Sequence, residues 1–197
     1  MNTLRLTVVL GIATLAFGQD PVVQKSSVWI DTVKKGAMTR AVRGQGLLVR
    51  DNIAEVSIPA AQVQEIRPGQ PADIDTGKFG VVKGKVTRVH PVANGVAKVE
   101  LQAERALPEA HPTVDVLVQL EVLQDVLYVG RPVMGSSQSE GVLFKLDADG
   151  QRARKVNVRY GRDSVSTIEV LSGLEPGDQV ILSDISASAA RDSVRLQ

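Results

Sequence analysis

Two histidines, His90 and His111, are the only imidazoles in the chain, and no cysteine accompanies them. An imidazole can move protons or bind a metal, but both roles need company: an acid, a nucleophile or further ligands. His90 precedes Pro91 at the end of an alternating stretch, with Arg88 nearby and no carboxylate close in sequence. His111 stands in Glu109-Ala110-His111-Pro112, a proline-flanked loop. Each reads as a surface or turn histidine. Two histidines without thiolates do not assemble a multi-histidine metal site. The lack of cysteine also excludes disulfides, a thiol nucleophile and lipid attachment at an N-terminal Cys.

Three other patterns fail on spacing. Asp147 and Asp149 could open a calcium loop, but no acidic residue closes the twelve-residue pattern, and Arg152 and Arg154 follow. Gly135-Ser136-Ser137-Gln138-Ser139 offers hydroxyls without the glycine spacing of a nucleophile elbow. Gly44-Gln45-Gly46 lacks the third glycine and the following helix of a phosphate cradle. The expectation is therefore no catalytic residue, no cofactor-binding residue, no cofactor and no metal ligand, in a chain that is not an enzyme.

What must the rest of the chain build, then? Of 197 residues, 43% are hydrophobic but only 3% aromatic, so a core has to come mainly from Val, Leu and Ile. Branched side chains of this kind suit a pleated, half-buried surface. The 23 basic and 22 acidic residues are interspersed, for a net charge of +1. No basic stripe recommends nucleic acid as a partner.

Residues 1–20 read as an address. Arg5 supplies a positive start, Leu6 to Phe17 form an apolar run, and Ala16 and Gly18 are small residues placed for cleavage before Gln19. The run is short for a bilayer span of roughly 30 Å. Residues 1–18 are thus expected to be a signal peptide, with an uncleaved anchor as the alternative; either places the remainder outside the cytoplasm.

Beyond that point short strand-like stretches recur, divided by Gly, Pro, Asn and Asp. The pattern predicts strands over Ser27–Val33, Met38–Val49, Ile53–Ile58, Gln70–Asp75, Val81–Val89, Gly95–Ala103, Thr113–Val122 and Val126–Val133. More follow over Gly141–Leu146, Arg154–Tyr160, Thr167–Leu171, Gln179–Leu182 and Ser193–Leu196. Turns are expected at Lys34-Lys35-Gly36, at Asn94-Gly95, over Asp147–Gly150 and over Leu174–Asp178. One short helix fits Ala60–Ile66, where Val63 and Ile66 share a face. The fold class is all-β: a small β-barrel followed by a second β-barrel or β-roll.

Several segments together resemble HlyD-type membrane fusion proteins, the periplasmic adaptors of RND pumps and MacB-type ABC exporters. Val33 to Val49 resembles their first membrane-proximal strands with "V-x-G-x-G". Val56 to Ile74 is similar to the strand, "IPE", short helix and "hxxGQxV" of their barrel. Gly84 to Gln102 matches the hairpin that follows, and Asp125 to Met134 resembles the return strand. Val156 to Asp184 is close to the closing "G-L-x-x-G-D-x-V" pattern.

The resemblance implies residues 19–50 and 123–197 as a membrane-proximal domain and residues 51–122 as a barrel. It implies a periplasmic, inner-membrane-associated efflux component whose partner is an RND or MacB-type ABC permease, with assembly into a ring-shaped homo-oligomer. The family's lipoyl domain and α-helical hairpin are missing between Val49 and Ile53. Contact with an outer-membrane channel, which the family assigns to that hairpin, is therefore not expected. The alternative is a stand-alone exported β module, a degenerate adaptor paralogue that binds a partner without transport.

Overall fold

Alternation along the chain translates directly into sheet. In the segment Ile53–Pro59, the side chains of Ala54, Val56 and Ile58 are buried while Glu55 and Ser57 turn outward. This is the period-two pattern of a strand with one face on a core. The computed structural model describes residues 20–50, 52–77, 80–107, 113–186 and 191–197; the expected signal peptide and His111 lie outside them.

Thirteen strands and one short α-helix are present among the described residues. In chain order they are β1 (Val22–Val23), β2 (Ile30–Thr32), β3 (Lys34–Arg50), β4 (Ile53–Pro59), α1 (Ala60–Val63), β5 (Pro71–Asp75), β6 (Val81–Val89) and β7 (Val96–Ala103). They continue with β8 (Thr113–Gly130), β9 (Glu140–Leu146), β10 (Arg152–Asp163), β11 (Thr167–Ser172), β12 (Gln179–Ile181) and β13 (Ser193–Leu196). The all-β class with one short helix holds.

The strands form one sheet with two cores. In the order β8-β3-β4-β7-β6-β5, six strands close on themselves because β5 also pairs with β8, from Ala72↔Val118 to Asp75↔Asp115. This ring is not a regular barrel, since bulges interrupt the β3–β4, β3–β8 and β6–β7 pairings. Val56, Ile58, Ile74, Val86, Val99, Leu101, Val116 and their neighbours fill it. From β8 the sheet continues outward as β11, β10, β9, β12 and β2, with β13 and β1 flanking β10. This second part, the roll, carries a core around Val129, Val158, Ile168 and Val180 and another around Phe144, Leu146 and Val194.

Gly46 shows why the ring closes. A Cβ there would sit 2.6 Å from Val56 Cα and closer still to the Glu55 carbonyl, so only glycine lets β3 press onto β4 at that curvature. The glycines of Gly44-Gln45-Gly46 serve packing. At Asn94-Gly95 both residues take positive φ, 51° and 80°, as a tight turn with this pair requires.

Three local expectations need correction. Lys34-Lys35-Gly36 is no turn; it opens β3 and pairs with Tyr128, Leu127 and Val126. The lysines reach Asp31 (3.8 Å) and Asp125 (3.2 Å) while their backbone joins the sheet. The two strands expected over 113–122 and 126–133 are one strand, β8. Asp125, at φ 53°, is absorbed as part of a bulge instead of ending the strand. The helix is shorter than expected, ending at Val63, although Val63 and Ile66 are both buried as anticipated.

Candidate docking surface

β9 is buried on both sides. Leu143 faces the core of the roll, whereas Phe144 and Leu146 face the second cluster with Val23, Val194 and Leu196. The small layer made by β13 and β1 covers that second face only in part, because β13 pairs with β10 just from Arg152 to Arg154. Toward Val142 the cover runs out, and Val142 is exposed. An apolar groove of about 380 Å³ opens there, lined by Pro132, Met134, Val142, Phe144, Ile181 and Ile185. Lys155 stands on its rim with its ammonium 6.0 Å from the centre of the Phe144 ring.

The groove is flanked by further apolar side chains held out by their backbones. A tight turn, with the Gly135 N–H donating to the Pro132 carbonyl at 3.0 Å, presents Val133 and Met134, which are 71% and 78% exposed. Val133 N–H donates to the Leu182 carbonyl (3.1 Å), and Leu182 N–H donates to the Trp29 carbonyl (2.8 Å). Trp29 N–H donates to Ser183 Oγ at 2.7 Å, and Trp29, the only tryptophan in the chain, is 70% exposed. Trp29, Val133, Met134 and Val142 thus gather around residues 181–186. Clustered exposed apolar groups of this kind mark interaction surfaces, and Trp and Met are enriched in them.

A second groove of about 380 Å³ lies against the ring, lined by Val81 and Leu117 together with Arg43, Asp73 and Asp115 and by Val165 and Ser166. Arg43 is paired with Asp115, and Lys83 with Asp73 at 2.6 Å. Arg43 holds the Asp115 carboxyl below its ordinary range.

His90 follows β6, Asp147 and Asp149 stand between β9 and β10, and Ser136, Ser137 and Ser139 lie between β8 and β9. His90 Nε2 lies 2.7 Å from Glu100 Oε1, a partner that the neighbouring sequence does not offer. A straight count back from the Asn94-Gly95 turn would set Arg88 opposite Leu101; the register slips by one residue and sets Arg88 opposite Glu100, two residues from His90, so the sequence alone did not show the pairing. The ligand atoms of Glu55, His90 and Glu100 lie within 4.8 Å of one another. Their charges are already answered, though, since Lys98 Nζ sits 2.6 Å from Glu55 and Arg88 3.9 Å from Glu100. His90 lowers the Glu100 pKa chiefly through that hydrogen bond. This is an ion-pair cluster on the outside of β4, β6 and β7.

Asp147 and Asp149 close a turn: Asp147 pairs with Arg154 at 3.2 Å, and Asp149 accepts the Gln151 N–H at 2.9 Å. Ser139 Oγ donates to the Ser136 carbonyl within the loop, and Ser137 Oγ donates to the Gly161 carbonyl, tying the loop to β10. The apolar groove was missed from sequence. Its signal was Arg131-Pro132-Val133-Met134-Gly135, two apolar residues in a Pro/Gly-bracketed turn, together with the lone Trp29.

Comparison with protein-family models and with curated proteins finds no match for this chain.

Proposed function

We propose that the chain is a non-catalytic, periplasmic adaptor-like component of a bacterial efflux or export system, docking on an inner-membrane transporter. The observation that carries this reading is the apolar face of the roll left open by the described residues, where Met134 and Val142 line the groove and the exposed Trp29 and Val133 are held by backbone bonds to residues 182 and 183 beside it. A surface with three side chains more than two-thirds exposed and a pocket beside them fits a protein partner, because burying such side chains gains about 1.5–3 kcal/mol each. The resemblance of Val33–Val49 and Val156–Asp184 to membrane fusion proteins supports the same reading. These two segments contribute β3 and most of β10, β11 and β12.

The alternative, a stand-alone exported module, draws on the β3–β4 connection. β3 ends at Arg50 and β4 begins at Ile53, so no helical hairpin stands between them to reach an outer-membrane channel. Site-specific photo-cross-linking in native membranes separates the two readings. A benzophenone side chain at Met134 should capture an inner-membrane permease, whereas one at Asn94, across the molecule on the ring, should not. Capture of a cell-wall or soluble periplasmic protein from Met134 would favour the stand-alone module, and equal capture from both positions would overturn the docking face.

A further inference from the structure

The β3–β8 pairing runs through both parts of the sheet. Lys34–Gly36 pairs with Tyr128–Val126 beside the roll, and Ala41–Leu47 pairs with Gln119–Thr113 inside the ring. Between those stretches the two-stranded ribbon is interrupted twice, once between Gly36 and Met38 and once between Arg40 and Ala41. Bulges bend a strand and leave backbone unpaired, so two of them in quick succession soften the ribbon at the place where it passes from ring to roll.

At that place sits Arg40, with only 9% of its side chain exposed. All three of its guanidinium nitrogens donate, and each partner belongs to a different part of the molecule. Nη1 and Nη2 donate to Glu65 of the ring at 2.9 and 3.0 Å, just past α1. Nη1 also donates to Glu121 of β8 at 2.5 Å, on the ribbon itself. Nε donates to the carbonyl of Asp163 at 3.1 Å, at the end of β10 in the roll. Beside it, Ala41 N–H donates to Ser164 Oγ at 3.0 Å. The roll's side of this contact is itself braced: Arg131 pairs with Asp163 at 2.9 Å, and Arg162 bridges Glu121 and Glu169.

We propose that Arg40 is a clasp fixing the angle between ring and roll, and that the twice-bulged β3–β8 ribbon is the hinge it locks. A planar guanidinium with donors in fixed directions sets geometry as well as charge, which a lysine could not do. Removing it does not strand its partners in a dry interior. The Glu65 side chain is 54% exposed and can rehydrate, and Glu121 keeps Arg162. The Arg40→Met variant is therefore expected to fold with both cores intact while losing the fixed angle.

Because the chain has no cysteine, Lys85→Cys on β6 and Asn157→Cys on β10 provide two unique sites for spin labels on full-length protein. Pulsed electron–electron distance measurement should give one narrow distribution for the labelled parent. Arg40→Met should broaden it about twofold or add a second distance, as expected of hinge motion released at a few residues. Glu65→Gln should broaden it less. Circular dichroism should stay unchanged in both. A folded Arg40→Met protein with the parent's distribution overturns the clasp. If Arg40→Met does not fold, Glu65→Gln combined with Ser164→Ala decides: broadening supports the clasp, and an unchanged distribution overturns it.

Discussion

Ring and roll both draw their cores largely from Val, Leu and Ile, yet only the ring closes its path of strands. In the ring, six strands pair in a closed circuit, and the side chains of Val56, Ile74, Val99, Leu101 and Val116 meet in one core. In the roll the path of strands runs on without returning, and the small β1–β13 layer covers only part of the Phe144 face. Closure turns apolar area into stability, whereas incomplete cover leaves it exposed, where the proposed function would place a partner. Substitutions in the two regions should therefore separate stability from binding.

The largest effect is expected at Gly46. Gly46→Ala forces a methyl against the β4 backbone, and overpacking of a main chain that cannot move should destabilise by about 3 kcal/mol or more. Urea unfolding followed by circular dichroism measures this; a loss near zero would mean the ring relaxes far more readily than its geometry implies. Leu101→Ala, a fully buried deletion in the same core, should cost about 2–5 kcal/mol. The roll provides the contrast. Val133→Ser with Met134→Ser should change unfolding free energy by no more than about 0.5 kcal/mol at either site, as for other exposed positions, yet abolish capture of the membrane partner. If instead the double variant unfolds early, those side chains belong to the fold and the contrast fails.

Acid should act on the junction between the two regions. Arg40 holds the Glu65 carboxyl below its ordinary value of 4.5, mainly by direct hydrogen bonding. A carboxyl with a lowered pKa in the folded state contributes stability that is present above its unfolded value and lost as pH falls through the folded one. Stability should thus decline below about pH 4.5, and Glu65→Gln should flatten that part of the pH profile. Solvent screens this half-exposed group, so the change is expected to be smaller than either core substitution. Smallest of all is His90→Gln on the outer face of the ring, which should leave the thermal midpoint where it is; a large fall would give the Glu55–His90–Glu100 cluster an unrecognised structural role.

Much of the ring was legible because its information is local. Ala54, Val56 and Ile58 alternate with polar residues, and Asn94-Gly95 marks its turn by chemistry that few other pairs share. The limits of β6 emerged as expected, Val81 to Val89. What stayed hidden depends on partners far along the chain. Lys34-Lys35-Gly36 resembles a turn until Tyr128–Val126 lies beside it, and Gln124-Asp125 resembles a strand end until the bulge accommodates it. The docking face was illegible for a related reason. Whether Val142 and Met134 are covered depends on how far β13 extends along β10, and no periodicity in either segment records that.

The two shared strands also set an order of events during folding. Lys34 must wait for Tyr128, and Leu47 for Thr113, before β3 has its long partner. Until a ribosome has released β8, neither core can be completed, and β4, β6 and β7 can form only a meander with open edges. Pairings this distant in sequence slow the search for the native state and lengthen the exposure of strand edges that invite association. Expression of residues 51–122 alone would omit β3, the strand to which both β4 and β8 are paired, and is expected to yield an aggregating fragment and not a small independent domain.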